Sequence, residues 1–227
     1  MKFENTKVFG FENAIIGMRL PMCKDFTEAK SKVNSDTDDC KPQILHEDDL
    51  DLMKRLIKAD KNASGQPNSK FLRMIHVQVA ITAPLYFWSE ADTYKIATVS
   101  NSTSKMHRIT NYPITKDCFE MSDYSDVRFV DEEDDCYGML NGYWDSLIYI
   151  CELLRQKFNE TKDKRYWKEL IRLLPESWLQ TRMFDCNYAT LRNIYAQRKN
   201  HKLIEWHTFC DWIKSLPYSK ELLTDGE

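Results

Sequence analysis

The sequence predicts one domain of the α/β (α+β) class, because it contains both strand-like and helix-like segments in a single chain of ordinary domain length. The chain has 227 residues, of which 42% are hydrophobic and 12% aromatic. This is enough apolar surface for one sizeable core. Residues 71–81 alternate as a β-strand does, and several other segments repeat apolar residues at helical spacing. We therefore expect a single domain over residues 1–227.

The N-terminal third predicts a strand, a loop and a helix. Val8, Phe9 and Phe11 alternate weakly and lead into a helix near Glu12. Residues 27–41 are rich in Ser, Asp, Lys and Thr and predict an exposed loop. An amphipathic helix then starts near the capping pair Asp48-Asp49 and ends before Gly65, with its apolar positions at Leu50, Met53, Leu56 and Ile57.

The segment at residues 71–81, which reads FLRMIHVQVAI, predicts a strand with one buried face. Pro84 marks its end, since proline lacks the amide proton that a strand interior uses. One face carries Ile75, Val77, Val79 and Ile81, and the other His76, Gln78 and Ala80.

The C-terminal half predicts an acidic loop followed by three helices. The loop lies near residues 131–136, where five consecutive side chains are acidic. A helix follows within residues 143–158, with Trp144, Leu147, Ile148, Cys151 and Leu154 on one stripe. Two more helices are expected over Asp185–Gln197 and Leu203–Leu216, the second with Trp206, Phe209 and Ile213 facing inward.

Composition excludes several classes of function. The formal net charge of -3 argues against binding to duplex nucleic acid, although a few arginines suffice for a small anion. Seven cysteines without a C-x-x-C pair suggest reduced thiols and no zinc ribbon. His201 and Glu205 share a helical face but lack a third ligand, so no metal site is expected. No signal peptide or apolar run of membrane-spanning length is evident, so we expect a cytoplasmic protein without membrane contact.

Two separate segments carry a resemblance to a known family. From Ala83 the chain reads APLYFWSEADTYKIATVSNSTSKMH. This is similar, without a gap, to the segment AP-(I/L)-F-x-x-R-Q-x-x-R-H-R-x-A-S-x-N-E-x-S-x-R-Y of the flavin-dependent thymidylate synthases (ThyX). Glu90 stands at the glutamine, Thr93-Tyr94-Lys95 at the RHR triplet, Thr98 and Thr103 at the two serines, and Lys105 at the last arginine.

The second segment reads LLPESWLQTRMFDCNYATLRNIYAQRKNHKLIEW. It resembles the family pattern VLP-x-x-x-Y-T-x-x-x-x-x-N-x-R-S-L-x-N-F-x-x-L-R and the helix that follows it. Leu174-Pro175, Asn187, Leu191, Asn193 and Arg198 fall on matching positions. Because the spacing is intact from Ala83 to Lys105 and from Asn187 to Arg198, the pair is more specific than either motif alone, and the resemblance extends over about three quarters of the chain.

The resemblance implies a fold, an assembly and a reaction. The fold is the ThyX-like α/β arrangement of a mixed sheet flanked by helices, and the assembly is a homotetramer whose sites are built between subunits. The implied enzyme binds FAD and methylates dUMP or a related pyrimidine nucleotide, with methylenetetrahydrofolate and NADPH as co-substrates. The protein itself contributes binding, orientation and electrostatics.

The resemblance also assigns roles to residues. The substrate-binding set is Glu90, Thr103, Lys105 and Arg198, and the cofactor-binding set is Thr93, Tyr94, Lys95, Thr98, Asn187 and Asn193. A guanidinium at 198 suits a pyrimidine or its phosphate, because it presents paired donors. Taken without the family match, residues 98–104 equally fit a turn that caps a helix, and Arg198 fits a solvated helix end.

Several signature residues differ from the family pattern. Thr93-Tyr94-Lys95 keeps one cation where RHR supplies two guanidinium groups and an imidazole, and Ala189 removes a further arginine. Glu90 replaces a neutral glutamine. Each lost charge-assisted contact is worth roughly 1.5 to 3 kcal/mol. Two alternatives therefore stand beside the family reaction, a different modification of a pyrimidine nucleotide on the same scaffold and a non-catalytic protein that binds a nucleotide or a protein partner.

Overall fold

The structure is a computed structural model and describes residues 1–36, 44–60, 67–121 and 136–226. Its sheet has four antiparallel strands in the order β1-β2-β4-β3. These are β1 Lys2–Phe9, β2 His76–Pro84, β3 Val99–Ser102 and β4 Leu179–Asn187. The predicted α/β (α+β) class is confirmed, with an antiparallel sheet where a mixed one was expected.

Ten α-helices lie within the described ranges. They are α1 Phe11–Arg19, α2 Phe26–Ser31, α3 Glu47–Asp60, α4 Leu85–Ala91, α5 Lys105–Arg108, α6 Cys136–Thr161, α7 Lys164–Leu173, α8 Tyr188–Arg198, α9 Ile204–Lys214 and α10 Ser219–Leu222. In the part of the chain that the structure describes, no helix has both the length and the apolar character needed to cross a bilayer.

The chain divides into two compact units. Unit 1 consists of Met1–Ile81, Tyr94–Asn101 and Met183–Glu227, and unit 2 of Thr82–Thr93 and Ser102–Arg182. The chain passes from one unit to the other inside β2, β3 and β4. The single domain over residues 1–227 stays a prediction.

Unit 1 is built around the buried face of β2. Ile75, Val77, Val79 and Ile81 are fully buried, as their alternation predicted. A 3-10 helix over Ser69–Met74 precedes the strand and packs against α1, α3 and α8, while α8 packs against α9. Gly10, at the junction of β1 and α1, has a φ of 94°, and a Cβ there would lie 2.3 Å from the Met74 carbonyl oxygen. Glycine is therefore required at this close approach.

Unit 2 has a core of its own, in which α6 packs along α7. Its buried members are Ile109, Ile114, Phe119, Leu147, Cys151 and Leu170. The predicted stripe on α6 is confirmed, since Trp144, Ile148 and Leu154 pack against this cluster beside Leu147 and Cys151. Polar bonds tie the segment before α6 to the helix: Glu152 accepts from the Ile114 amide at 2.9 Å, and Asn159 donates to the Thr110 carbonyl at 2.8 Å.

Three local predictions need correction or fall outside the described residues. The loop expected over 27–41 begins inside α2, because Asp25 caps a helix by accepting from the Glu28 amide; residues 37–43 lie outside the described ranges. Residues 131–135 of the acidic loop also lie outside them, and residue 136 already belongs to α6. The helix expected from Asp185 begins at Tyr188, and residues 185–187 belong to β4. Phe184 and Cys186 are buried and the residue between them is less so, which is the alternation of a strand.

Candidate functional site

Tyr94 and Arg198 form a pair in unit 1. Arg198 is the last residue of α8, and its Nε donates a hydrogen bond of 2.7 Å to the Tyr94 phenol oxygen. The guanidinium carbon lies 4.6 Å from the ring centre of Trp206 and 5.4 Å from that of Tyr94. The two rings meet edge to face at 5.9 Å. We call this arrangement the Arg198 clamp, meaning Arg198 with Tyr94 and Trp206.

A short polar chain continues from the clamp along α8. The Tyr94 hydroxyl donates to Gln197 Oε1 at 3.0 Å, and Gln197 Nε2 donates to Asn193 Oδ1 at 3.0 Å. Asn193 and Gln197 are four residues apart on one helical face, which allows this contact. Three of the predicted site residues, Tyr94, Asn193 and Arg198, therefore share one connected group.

The side chains of Asn187 and Thr98 form hydrogen bonds with the backbone of unit 1. Asn187 is 4% exposed, and its Oδ1 accepts from the Thr190 amide at 2.9 Å, which caps the first turn of α8. The Thr98 hydroxyl donates to the Tyr94 carbonyl oxygen and closes the loop that carries Tyr94. Lys95 in the same loop is exposed. The cofactor-binding role of these three residues stays a prediction, and the oxygen of Asn187 is already occupied by the cap.

The remaining predicted site residues lie in unit 2. Glu90 is half-buried in α4, and its carbonyl accepts from both the amide and the hydroxyl of Thr93, at 3.1 and 2.7 Å. Thr103 is exposed and bonds to the backbone of Thr181 through its amide at 2.9 Å. Lys105 is the half-buried first residue of the short helix α5. Their substrate and cofactor roles also stay predictions.

Sequence reasoning missed two side-chain partners. Trp206 was placed in the core, which is right because it is 1% exposed, but no sequence signal linked its ring to Arg198. In unit 2, Arg182 lies 4.3 Å over the Trp88 ring and pairs with Asp92 at 2.7 Å. Arg182 falls at an unspecified position of the family pattern, so the resemblance carried no information about it.

Unit 1 also contains a cavity of about 570 Å³ on elements other than those of the clamp. Its apolar wall includes Leu52 and Leu56 of α3 and Phe71 and Met74 of the 3-10 helix. The volume is within the range of small-molecule sites in proteins. None of the ten predicted site residues lines this cavity. Its place could not be read from the sequence, because its wall joins residues about 50 positions apart.

The cations at this cavity differ in their pairing. Arg19 donates to the buried carboxylate of Asp49, and Lys32 pairs with Glu28 at 2.6 Å. Lys70 is exposed at the rim, and no acid among the described residues pairs with it. The cavity thus combines an apolar wall with Lys70, a cation that can meet an anionic ligand.

His201 and Glu205 are not on one face of a helix, contrary to the sequence analysis. Helix α9 begins at Ile204, and His201 precedes it with Nδ1 accepting from the Leu203 amide at 3.1 Å. Among the side chains that the structure describes, no three His, Cys, Asp or Glu residues converge as metal ligands.

Comparison with known proteins gives a fold but no sequence family. No protein-family model matches the sequence, and no curated protein is similar to it. The structure is similar to the flavin-dependent thymidylate synthase ThyX from Helicobacter pylori complexed with FAD and dUMP, with a TM-score of 0.63, 15% identity and 99% of each chain covered. It is also similar to the UMP/dUMP methylase PolB from Streptomyces cacaoi bound with 5-Br dUMP, with a TM-score of 0.59, 12% identity and coverage of 99% of this chain and 95% of that one. The expected ThyX-like fold is therefore confirmed.

Proposed function

We propose that this chain binds a pyrimidine nucleoside monophosphate and methylates it in a flavin-dependent reaction, as a divergent member of the ThyX family. The observation that carries the proposal is Arg198, which occupies the matching position of the family pattern and is held by two aromatic residues. The full-length likeness to two proteins crystallised with dUMP or its bromo analogue supports the ligand class.

The chemistry of Arg198 suits this ligand. A guanidinium is planar and always charged, and it binds phosphate or a pyrimidine carbonyl with paired donors. Contacts to Tyr94 and Trp206 hold the group in place before a ligand arrives, which lowers the entropy lost on binding. We assign Lys105, Thr103 and Glu90 to the same substrate on the resemblance alone.

Unit 1 has residues that suit FAD and one predicted residue that does not. The cavity in unit 1 fits the flavin ring, because Leu56, Phe71 and Met74 give it an apolar wall and Lys70 offers a cation for the diphosphate. Asn187 does not fit as an acceptor, since its oxygen caps α8. Thr93, Tyr94, Lys95, Thr98 and Asn193 do not line this cavity, so the cofactor roles that the resemblance gives them describe an alternative place for the flavin. A bound flavin would supply the redox chemistry of the methylation, with methylenetetrahydrofolate and NADPH as co-substrates.

We further propose a homotetramer. Ile96 and Val99, beside the Tyr94 loop, are 86% and 69% exposed. Exposed apolar side chains that lie next to each other can mark a surface that a partner covers. A second copy of the chain is the partner that the resemblance implies.

A second candidate is a related modification with UMP as the substrate. It is favoured by the likeness to a UMP/dUMP methylase. The two candidates differ in whether the site accepts a ribose 2′-hydroxyl.

Titration of the purified protein with FAD, dUMP and UMP tests the proposal. We expect flavin binding and tighter binding of dUMP or UMP than of the matching nucleosides. Lys70→Ala should weaken FAD, while Lys58→Ala, which removes an exposed cation from the last turn of α3, should not. A folded protein that binds neither flavin nor nucleotide would support a non-catalytic role as a protein-binding homologue and refute the proposal.

A further inference from the structure

The Arg198 clamp contains a contact that is specific to this chain. Tyr94 stands where the family pattern has histidine, and its phenol oxygen accepts from Arg198 Nε at 2.7 Å. We propose that Tyr94 is a positioning residue, which sets the orientation of Arg198 for the anionic group of a nucleoside monophosphate. This inference rests on the proposed function.

The phenol is suited to this role because a hydroxyl can accept and donate at once. It accepts from Arg198 and donates to Gln197 Oε1 at 3.0 Å, so both the position and the proton direction of the hydroxyl are fixed. A hydrogen bond that involves a charged partner is about twice as strong as a neutral one. The charged bond therefore restrains rotation of the guanidinium about its Nε.

Trp206 supplies the second restraint. Its ring is almost fully buried and lies 4.6 Å below the guanidinium carbon, so it forms a rigid floor for the cation. The hydrogen bond to Tyr94 restrains rotation of the guanidinium within its own plane above the Trp206 ring. Together the two contacts fix the direction of Nε and the position of the guanidinium beside the Trp206 ring.

This geometry makes Tyr94 a determinant of specificity for charged ligands. Removal of the hydroxyl leaves the charge and the aromatic floor in place but removes the hydrogen bond that directs Nε. The loss should fall on ligands whose phosphate uses paired donors. An uncharged nucleoside should be affected much less.

Isothermal titration of Tyr94→Phe with dUMP and with deoxyuridine tests the inference. We expect about a tenfold loss of dUMP affinity, on the order of one charge-assisted bond, and unchanged affinity for deoxyuridine. In an Arg198→Ala background, Tyr94→Phe should change dUMP affinity less than twofold, because the group that Tyr94 positions is gone. A merely structural role would give the same loss in both backgrounds.

Tyr112→Phe is the matched control. The Tyr112 hydroxyl accepts from Arg108 at 2.5 Å in unit 2, and the Arg108 guanidinium lies 5.5 Å from the Tyr112 ring. This variant removes the same kind of Arg–Tyr bond and should bind dUMP as the wild type does.

Three results would overturn the inference: equal dUMP affinity for the wild type and Tyr94→Phe, equal losses for Tyr94→Phe and Tyr112→Phe, or an undiminished Tyr94→Phe effect in the Arg198→Ala background. A wild-type protein that binds no nucleoside monophosphate would instead refute the proposed function, and this inference with it. The two failures are therefore distinguishable.

Discussion

Asp49→Asn should destabilise unit 1 strongly, because Asp49 is the buried acceptor of five hydrogen bonds. Its side chain is fully buried. Oδ1 accepts from Nε and Nη2 of Arg19, and Oδ2 accepts from the amides of Asn34 and Ser35 at 3.0 Å each and from the Ser35 hydroxyl at 2.7 Å. Asparagine replaces one acceptor oxygen with an NH2 donor that faces other donors. It also leaves Arg19, only 17% exposed, without its counter-ion.

The size of the effect follows from the burial of the pair. Removing one partner of a buried ion pair costs about 3 to 5 kcal/mol. For a chain of this length, that cost corresponds to a fall in Tm of roughly 6 to 20 °C. Urea unfolding at pH 7 should show the same loss as a lower midpoint with an unchanged slope.

The loss should also depend on pH. Burial alone would raise the pKa of Asp49, but hydrogen bonds from Arg19, Ser35 and the Asn34 amide outweigh it and hold the pKa below its ordinary value. A lowered pKa means that the ionised carboxylate stabilises the fold above the unfolded pKa of about 3.9, and that this stability is lost as pH falls through the folded pKa. The difference between wild type and Asp49→Asn should therefore be full at pH 7 and shrink below about pH 4.

Asp51→Asn is the matched control, since Asp51 lies two residues along the same helix. It is half-exposed and pairs with Lys54 at 2.6 Å. Its Tm should stay close to that of the wild type, because exposed pairs add little stability. Equal Tm values for Asp49→Asn and Asp51→Asn would show that the buried pair adds no more stability than the exposed one.

Three further predictions concern unit 2, the thiols and the assembly. In unit 2, hydrogen bonds from Arg155 lower the pKa of Glu152 to about 2. Glu152→Gln should therefore reduce stability at pH 7. In acid unfolding, the variant should also lose less stability than the wild type between about pH 4 and pH 2. Burial raises the pKa of Cys151 and Cys210 to about 11, so iodoacetamide at pH 8 should label Cys23 and Cys118 before Cys151 and Cys210 in peptide mapping. Early labelling of Cys151 or Cys210 would contradict their burial. Light scattering should give four times the 26.9 kDa chain mass, and a clean monomer would remove any site built between subunits.

Periodic apolar segments were predicted well from the sequence. The faces of β2 and the stripe on α6 needed only the alternation or helical spacing of their own residues. The inward positions of α9, Trp206, Phe209 and Ile213, are likewise buried. Such patterns depend on local geometry alone, which makes them readable in one sequence.

The elements that were missed have mixed local signals. Strand β4 reads LQTRMFDCN, and its polar residues hide the alternation that burial of Phe184 and Cys186 reveals. Helix α7 was overlooked although Asp163 caps it by accepting from the Arg165 amide and Leu170 is fully buried. Its capping residue was a usable sequence signal.

The sequence predicted the separate motifs of the site but not how the fold brings their residues together. Spacing alone placed Tyr94 and Arg198 in the candidate set, but their mutual bond joins residues 104 positions apart and depends on the fold. Asn187 matched the pattern in spacing, yet its oxygen caps α8. The wall of the cavity had no signal, because apolar residues of a helix predict a core equally well.

Arg198 is the residue through which the proposed function can be tested most directly. Isothermal titration should compare dUMP and UMP binding to the wild type, Arg198→Lys, Arg198→Ala and Lys199→Ala, the last removing the neighbouring cation. The wild type should bind at least one nucleotide, and Arg198→Ala should lose roughly 10- to 150-fold in affinity. Arg198→Lys should fall between them, because lysine keeps the charge without the paired donors, and Lys199→Ala should bind as the wild type does. Nucleotide affinity that is equal in the wild type and Arg198→Ala would show that Arg198 does not bind the nucleotide and would contradict the proposed function.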